Sequence, residues 1–187
     1  MRKVLSFVLV LAMILGSVSA AFAFSDTKGV ANETAINAIS ELGLISGYAD
    51  GTFGADKTIT RAEFVTMVVN ALGFPTTGSA NTGFKDVPAD YWAAQAIFTA
   101  KNLGIVYGKT ATTFGPKDPV TYDEAIAFMM RALGYKAEYL VGSYPTNYVN
   151  QAKSLDVLSK VKTGSANATR GEVAQLIYNC LNEEVVT

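Results

Sequence analysis

The chain has 187 residues, half of them hydrophobic, a length that suits one domain or a short array of repeats with a buried core. Its formal net charge is −1 with no long run of either sign, so nothing in the composition indicates nucleic-acid binding. The chain contains no histidine, which excludes Ser-His-Asp and Cys-His catalysis as well as histidine zinc sites.

Residues 1–23 have the layout of a secretory signal peptide: two basic residues, an apolar run and then small residues. Ala21 and Ala23 satisfy the A-x-A pattern, so we predict cleavage after Ala23. An uncleaved membrane anchor is the alternative, but the apolar run is shorter than the ~20 residues that a membrane-spanning helix needs. We therefore expect an exported protein with no membrane segment after cleavage.

Internal repeats organise the rest of the chain. The segments Leu42–Glu63 and Leu103–Glu124 have equal length and align without a gap, and a third copy, Leu155–Glu172, has a shorter loop. Repeats of this kind indicate one supersecondary unit used several times. The predicted divisions are repeat 1 (24–74), a Gly/Ser/Thr-rich linker (75–83), repeat 2 (84–135) and repeat 3 (136–187).

Each repeat opens with apolar residues at helical spacing, which predicts a first helix with one buried face. Gly43 and Gly104 follow this helix and are expected to end it in the left-handed conformation. Phe53 and Phe114 share one loop position and are expected to pin each loop to the core. The apolar sets are Ala35, Ile36, Ile39 and Leu42 in repeat 1, Ala96, Ile97, Ala100 and Leu103 in repeat 2, and Val149, Ala152 and Leu155 in repeat 3.

A second helix follows in each repeat, opened by a threonine with a glutamate three residues later. This spacing predicts a capping box, in which each side chain accepts a hydrogen bond from a backbone N–H of the other residue. Cys180 stands in the second helix where Ala71 and Ala132 stand in the other copies, so we predict a small core residue. The capping pairs are Thr60 with Glu63, Thr121 with Glu124, and Thr169 with Glu172.

One helix pair cannot bury its apolar faces alone, and about three are needed for a shared core. We therefore predict an all-α fold in which three helix-loop-helix repeats form a single bundle with approximate three-fold symmetry.

Arg61 and Arg170 lie between the threonine and the glutamate of the capping box in repeats 1 and 3. An arginine in the first turn faces the positive end of the helix dipole and needs an anionic partner. A bound carboxylate or phosphate would supply that partner, and so would a salt bridge to a neighbouring Asp or Glu. Both interpretations stay open on physical grounds.

Three segments together resemble the repeats of the S-layer homology family. They are Leu42–Phe53 (LGLISGYADGTF), Ile59–Glu63 (ITRAE), and Phe84–Val87 (FKDV) with Trp92. The resemblance implies a non-enzymatic anchor in the cell wall or surface layer of a bacterium, without a cofactor or metal. It also implies a pseudo-trimer with grooves between the copies, which bind a secondary cell-wall polysaccharide, often through the carboxylate of a pyruvyl ketal. The partner would be that polysaccharide, and the cargo a fused or associated surface-layer protein.

The resemblance marks Arg61 and Arg170 as ligand-binding residues, with Asp50, Gly51 and Trp92 as further candidates. Trp92 would stack on a sugar or fill the core, and the core is the preferred interpretation. Repeat 2 departs from the family pattern because Tyr122 replaces the arginine, so its groove is expected to be weak or silent.

Other functions fit the sequence less well. A calcium loop around Gly51 would have Asp50 as its only acid. A protein–protein assembly module of a surface layer is a second alternative, because helical arrays provide interaction surfaces. A glycosidase would need two paired carboxylates, and no pair stands out among Asp86, Asp90, Asp118 and Asp123.

Overall fold

The computed structural model describes residues 24–76 and 80–186, so the predicted signal peptide lies outside the described residues. The described residues form no β-strand beyond isolated bridges, and the all-α prediction is confirmed. The helices are α1 (Glu33–Glu41), α2 (Arg61–Ala71), α3 (Ala94–Asn102), α4 (Tyr122–Ala132), α5 (Thr146–Ser154) and α6 (Arg170–Cys180), with a 3₁₀ turn at Ala137–Tyr139.

The three helix pairs have the same lengths, with 9 residues in the first helix and 11 in the second. Gly43 and Gly104 adopt φ angles of +70° and +72° directly after the cap residues of α1 and α3, as predicted. In repeat 3 the corresponding residue is Asp156, which has a φ angle of +59°. The left-handed ending is therefore kept where the glycine is absent, because aspartate tolerates this conformation better than most residues.

The second helices form the centre of the bundle. Helices α2, α4 and α6 contact one another and are buried around most of their circumference. Each first helix packs mainly against the second helix of another repeat: α3 on α2, α5 on α4, and α1 on α6. The copies are therefore interlocked, and the core belongs to all three.

Three buried backbone hydrogen bonds link the repeats where the second helices begin. The Ile59 N–H donates to the Ala168 carbonyl (3.1 Å), the Ala168 N–H to the Val120 carbonyl (2.8 Å), and the Val120 N–H to the Ile59 carbonyl (3.1 Å). Each repeat thus donates once and accepts once, and the cycle closes. This cycle supports a three-fold arrangement, although the symmetry itself stays a prediction.

Most of the predicted core is buried, but Leu155 is only partly buried and two other leucines are exposed. Phe53 and Phe114 are fully buried, and so is Cys180, where burial raises the pKa of the thiol to about 12. Leu42 and Leu103, expected on the buried face, are instead among the exposed large apolar residues. They are the C-terminal cap residues of α1 and α3, where the helix face no longer follows the apolar stripe.

Within residues 24–76 and 80–186, no helix combines the length and the apolar character needed to cross a membrane. The predicted linker over residues 75–83 falls partly on undescribed residues. At its described end Thr82 is buried, and its carbonyl accepts a hydrogen bond from Lys101 Nζ (2.6 Å), so this end packs against repeat 2.

Candidate functional site: two arginine junctions

Arg61 is the first residue of α2, and its side chain reaches into repeat 2. Its Nε donates to the Phe114 carbonyl (3.0 Å), its Nη2 to the Tyr107 carbonyl (2.9 Å), and its Nη1 pairs with Glu124 Oε1 (3.0 Å). The guanidinium carbon lies 4.7 Å from the centre of the Phe114 ring and 5.1 Å from that of Phe128. Arg61 is only 2% exposed, and this burial lowers its pKa while Glu124 raises it. The salt bridge that the sequence left open is therefore present at Arg61.

Arg170 is the first residue of α6 and makes the corresponding contacts with repeat 1. Its Nε donates to the Phe53 carbonyl (2.9 Å) and its Nη2 to the Ser46 carbonyl (2.8 Å). Its Nη1 faces the sulfur of Met67 at 3.9 Å, and the rings of Phe53 and Tyr48 flank the guanidinium. Arg170 is 6% exposed, and no carboxylate in residues 24–76 or 80–186 forms an ion pair with it.

We call the contact of Arg61 with repeat 2 the Arg61 junction and that of Arg170 with repeat 1 the Arg170 junction. They differ because Glu124 forms an ion pair with its arginine and the equivalent Glu63 does not. In repeat 2 the Glu124 carboxylate accepts from the Thr121 N–H through Oε2 and pairs with Arg61 through Oε1. In repeat 1 the Glu63 carboxylate accepts from the N–H and hydroxyl of Thr60, both at 2.8 Å, and forms no ion pair with Arg170. One junction is thus neutralised within the chain, whereas the other keeps a buried positive charge.

The third junction carries Tyr122, whose hydroxyl donates to the carboxylate of Glu172. Burial and this glutamate both raise the pKa of Tyr122. The exposed Lys162 reaches the same carboxylate, with Nζ 3.4 Å from Oε1. No guanidinium among the described residues enters this junction, and the weak groove expected here stays a prediction.

The capping prediction holds for two helices and fails in part for the third. Complete capping boxes open α2 and α4. In α6, Thr169 accepts the N–H of Glu172 at 3.4 Å, but the carboxylate of Glu172 does not return a bond to the Thr169 N–H. Glu172 Oε2 accepts instead from the hydroxyls of Thr169 and of Tyr122 in repeat 2, and Lys162 of repeat 3 lies at the other oxygen, so the third box is half formed.

Asp50 and Gly51 form an exposed turn in the loop of repeat 1. Asp50 Oδ1 accepts from the Thr52 N–H (3.0 Å) and from its hydroxyl (2.7 Å), and these two bonds lower the pKa of Asp50. Gly51 has a φ angle of +82°, which explains the glycine. The turn residues thus have a structural role, and in the described part of the chain no hydrogen bond or ion pair joins them to Arg170.

Trp92 does not belong to the core, so the preferred interpretation of this residue is wrong. Its side chain is 60% exposed, and its ring centre lies 5.8 Å from that of Tyr91. It precedes Ala93, the residue that caps the N-terminus of α3, and is therefore outside the buried face of that helix. The alternative, an exposed aromatic surface for a ligand, stays open.

Two aspartates hold the loops against which the arginines bind, a role that the sequence patterns did not reveal. Asp26 accepts the backbone N–H of Phe53 (2.7 Å), and Asp86 accepts that of Phe114 (2.9 Å). Each also accepts the N–H of the following glycine. The shared pattern Phe-x-Asp at the start of repeats 1 and 2 was the available signal. These carboxylates position the two carbonyls that accept from Arg61 and Arg170.

We expect Asp86→Ala to lower the free energy of unfolding by about 2 kcal/mol at pH 7, because backbone N–H groups lose a charged acceptor. Burial raises the pKa of Asp86, but the N–H groups of Phe114 and Gly115 outweigh it, so the pKa falls below its ordinary value of 3.8. The stabilisation is therefore present above that value and is lost as the pH falls through the folded-state pKa. Urea unfolding of both proteins at pH 7 and near pH 3 would show the difference narrowing in acid, and an equal difference at both pH values would contradict this role.

No group of three or more potential metal ligands occurs among the residues whose positions are described.

Residues 23–65 and 83–126 match the S-layer homology domain. The two matches fall on repeats 1 and 2, and repeat 3 lies outside both.

The chain is similar along its whole length to larger proteins. It is 33% identical to the middle cell wall protein of Brevibacillus brevis and 32% identical to the surface layer protein of Brevibacillus choshinensis. Over 53% of its length it is 37% identical to the cellulosome-anchoring protein of Acetivibrio thermocellus. The chain spans 18%, 17% and 23% of the lengths of these relatives.

Proposed function

We propose that this chain anchors a protein to the bacterial cell wall by binding an anionic secondary wall polysaccharide non-covalently. The observation that carries the proposal is Arg170, a buried guanidinium without a carboxylate partner in the described chain. A buried charge is costly unless a counter-charge compensates it. A carboxylate on a wall sugar would provide that counter-charge and accept two parallel hydrogen bonds.

The pyruvyl ketal is the acidic group that we propose for this sugar. It places a carboxylate next to a methyl group on the sugar ring, and the guanidinium of Arg170 lies against the rings of Tyr48 and Phe53. A cation beside aromatic surfaces suits a ligand that is acidic on one side and apolar on the other.

We also propose that residues 136–187 are a third S-layer homology repeat. Its helices α5 and α6 have the lengths of the other pairs, and it supplies Arg170. The names of the relatives refer to the cell wall, the surface layer and anchoring, which supports a location at the bacterial cell wall or surface for this chain. The proposed cargo is a fused or associated surface-layer protein, and the chain acts as a binding module and not as an enzyme.

Sedimentation with purified cell-wall sacculi tests the function. The secreted chain is expected to co-sediment with intact sacculi and to stay in solution when acid extraction has removed the secondary polysaccharide. Adding the extracted polysaccharide in excess is expected to compete the chain off intact sacculi. Undiminished sedimentation with stripped sacculi would contradict polysaccharide binding and favour a protein or peptidoglycan partner.

A further inference from the structure

A chain of side-chain amides crosses the seam between α1 and α6, the first and last helices of the described chain. Asn32 Nδ2 donates to Gln175 Oε1 at 3.3 Å, and Gln175 Nε2 donates to Asn179 Oδ1 at 2.8 Å. Asn179 Nδ2 in turn donates to the carbonyls of Val157 and Ser159, at 2.9 Å and 2.8 Å. We call Asn32, Gln175 and Asn179 the amide clasp.

The clasp lies where the chain itself does not hold the packed helices together. Helices α2 and α3 follow one another in the sequence, and so do α4 and α5, whereas Asn32 and Gln175 are 143 positions apart. Both of these residues are buried. Buried amides that pair with each other fix the register of the surfaces they join, because any other register leaves polar groups without partners.

The shared scaffold does not require the clasp. Asparagine is a favoured N-cap residue, but the side chain of Asn32 makes no capping hydrogen bond to α1 and turns to α6 instead. At the same N-cap position α3 and α5 have Ala93 and Pro145, which carry no amide. At the position of Gln175 the other second helices have Thr66 and Ala127.

The clasp also touches α6 directly beside Arg170. The next residue is Gly171, where an added Cβ atom would lie 3.1 Å from Asn32 Oδ1 and 3.1 Å from the carbonyl oxygen of Ala55. Repeat 1 has an alanine, Ala62, at this helix position. The glycine therefore allows α6 and repeat 1 a closer approach at the clasp.

The Arg170 junction is built across the same seam. Arg170 lies on α6, whereas the carbonyls that accept from its Nε and Nη2 belong to Phe53 and Ser46 of repeat 1. The N–H of Phe53 is held by Asp26, in the segment that leads to Asn32. Opening of the seam would therefore separate the guanidinium from both carbonyls.

We propose that Asn32 and Gln175 are positioning residues for Arg170, and that closure of the seam between α1 and α6 is coupled to ligand binding at Arg170. The inference rests on the proposed function and adds a conformational control to the same site. The apparent affinity falls with the fraction of molecules in which the seam is closed, because only these hold the guanidinium in place. A carboxylate bound at Arg170 favours the closed seam in return.

Sedimentation with intact sacculi tests the positioning role. Gln175→Met keeps the size of the side chain but leaves the amides of Asn32 and Asn179 unpaired, so we expect binding at least about fivefold weaker, the lower end of typical couplings between sites. Asn32→Ala is expected to act in the same direction. The matched control is Thr99→Val, which removes a hydrogen bond from the Thr99 hydroxyl to the Pro75 carbonyl (3.1 Å) and is expected to bind as the parent does.

Hydrogen exchange tests the coupling without a change in the clasp. An excess of extracted wall polysaccharide is expected to slow the exchange of backbone N–H groups in α1 of the parent, because the bound carboxylate keeps the seam closed. The same addition is expected to leave α1 unchanged in Arg170→Gln. A clasp with a purely structural role would affect thermal unfolding without linking α1 to the ligand.

The outcomes separate this coupling from the proposed function. If the parent binds sacculi and both clasp variants bind as tightly, or if the polysaccharide does not slow exchange in α1, the coupling is wrong and wall anchoring stands. If the parent does not bind sacculi, the proposed function fails and the coupling fails with it. Thermal unfolding shows whether each variant is folded, and Asn32→Ala decides the question if Gln175→Met is not.

Discussion

Replacing Arg61 with alanine is expected to lower the free energy of unfolding by about 3 kcal/mol, the cost of breaking a buried ion pair by removing one partner. Glu124 would lose its counter-charge, and the carbonyls of Phe114 and Tyr107 would lose their donors. The space between the Phe114 and Phe128 rings would also be left empty. Urea unfolding followed by circular dichroism measures this change directly.

A double-mutant cycle identifies the source of the loss at Arg61. Glu124→Gln keeps the size of the side chain and removes its charge, so the effects of the two substitutions should not add. We expect a coupling energy of about 1–3 kcal/mol between them, in the range known for residues in contact. A loss below about 0.5 kcal/mol for Arg61→Ala, or full additivity with Glu124→Gln, would show that the salt bridge does not hold repeats 1 and 2 together.

Arg170→Gln is expected to reduce the affinity for intact sacculi at least tenfold, because the buried guanidinium that would meet the acidic sugar is lost. Its effect on stability should be smaller than that of Arg61→Ala, about 1–2 kcal/mol, since two hydrogen bonds to backbone carbonyls are disturbed and no ion pair is broken. The measurement is a sedimentation isotherm with sacculi, combined with thermal unfolding of the same preparation.

Tyr122→Phe is the matched control for Arg170→Gln. Tyr122 occupies the same helix position in repeat 2, and its substitution removes only the hydroxyl that donates to Glu172. We expect its affinity for sacculi to equal that of the parent. If Arg170→Gln bound sacculi as well as Tyr122→Phe does, the buried cation would have no part in anchoring.

Local sequence rules predicted the ends of the helices well. Gly43 and Gly104 end α1 and α3 in the left-handed conformation, and Thr60 and Thr121 form complete capping boxes. Phe53 and Phe114 are buried, as their shared loop position predicted. Each of these features depends on a few neighbouring residues and on backbone conformation, so a short pattern is sufficient to predict it.

Long-range contacts account for what the sequence did not reveal. The periodicity of α3 defines a buried face but not the helix that covers it, and that helix is α2 of the preceding repeat. Glu172 follows the capping pattern, yet its carboxylate accepts a hydrogen bond from the hydroxyl of Tyr122, which is fifty residues away in the chain. Arg131 likewise lies against the rings of Tyr107 from repeat 2 and Tyr144 from repeat 3, and no local pattern marks these contacts.

The sequence motif shared by Arg61 and Arg170 therefore does not define one role. The same position is neutralised by Glu124 at one junction and carries an uncompensated charge at the other, because Glu63 is engaged in capping alone. We expect Arg61 to act mainly on stability and Arg170 mainly on binding.

The central claim is that this chain recognises a carboxylate on a wall sugar, and a calorimetric titration of the unmodified protein with a methyl glycoside carrying a pyruvyl ketal tests it most directly. We predict saturable binding that is lost when the ketal is removed from the sugar and that weakens as salt is added, because the interaction is between charges. Equal binding of the acidic and the neutral glycoside, or no binding of either, would contradict the account.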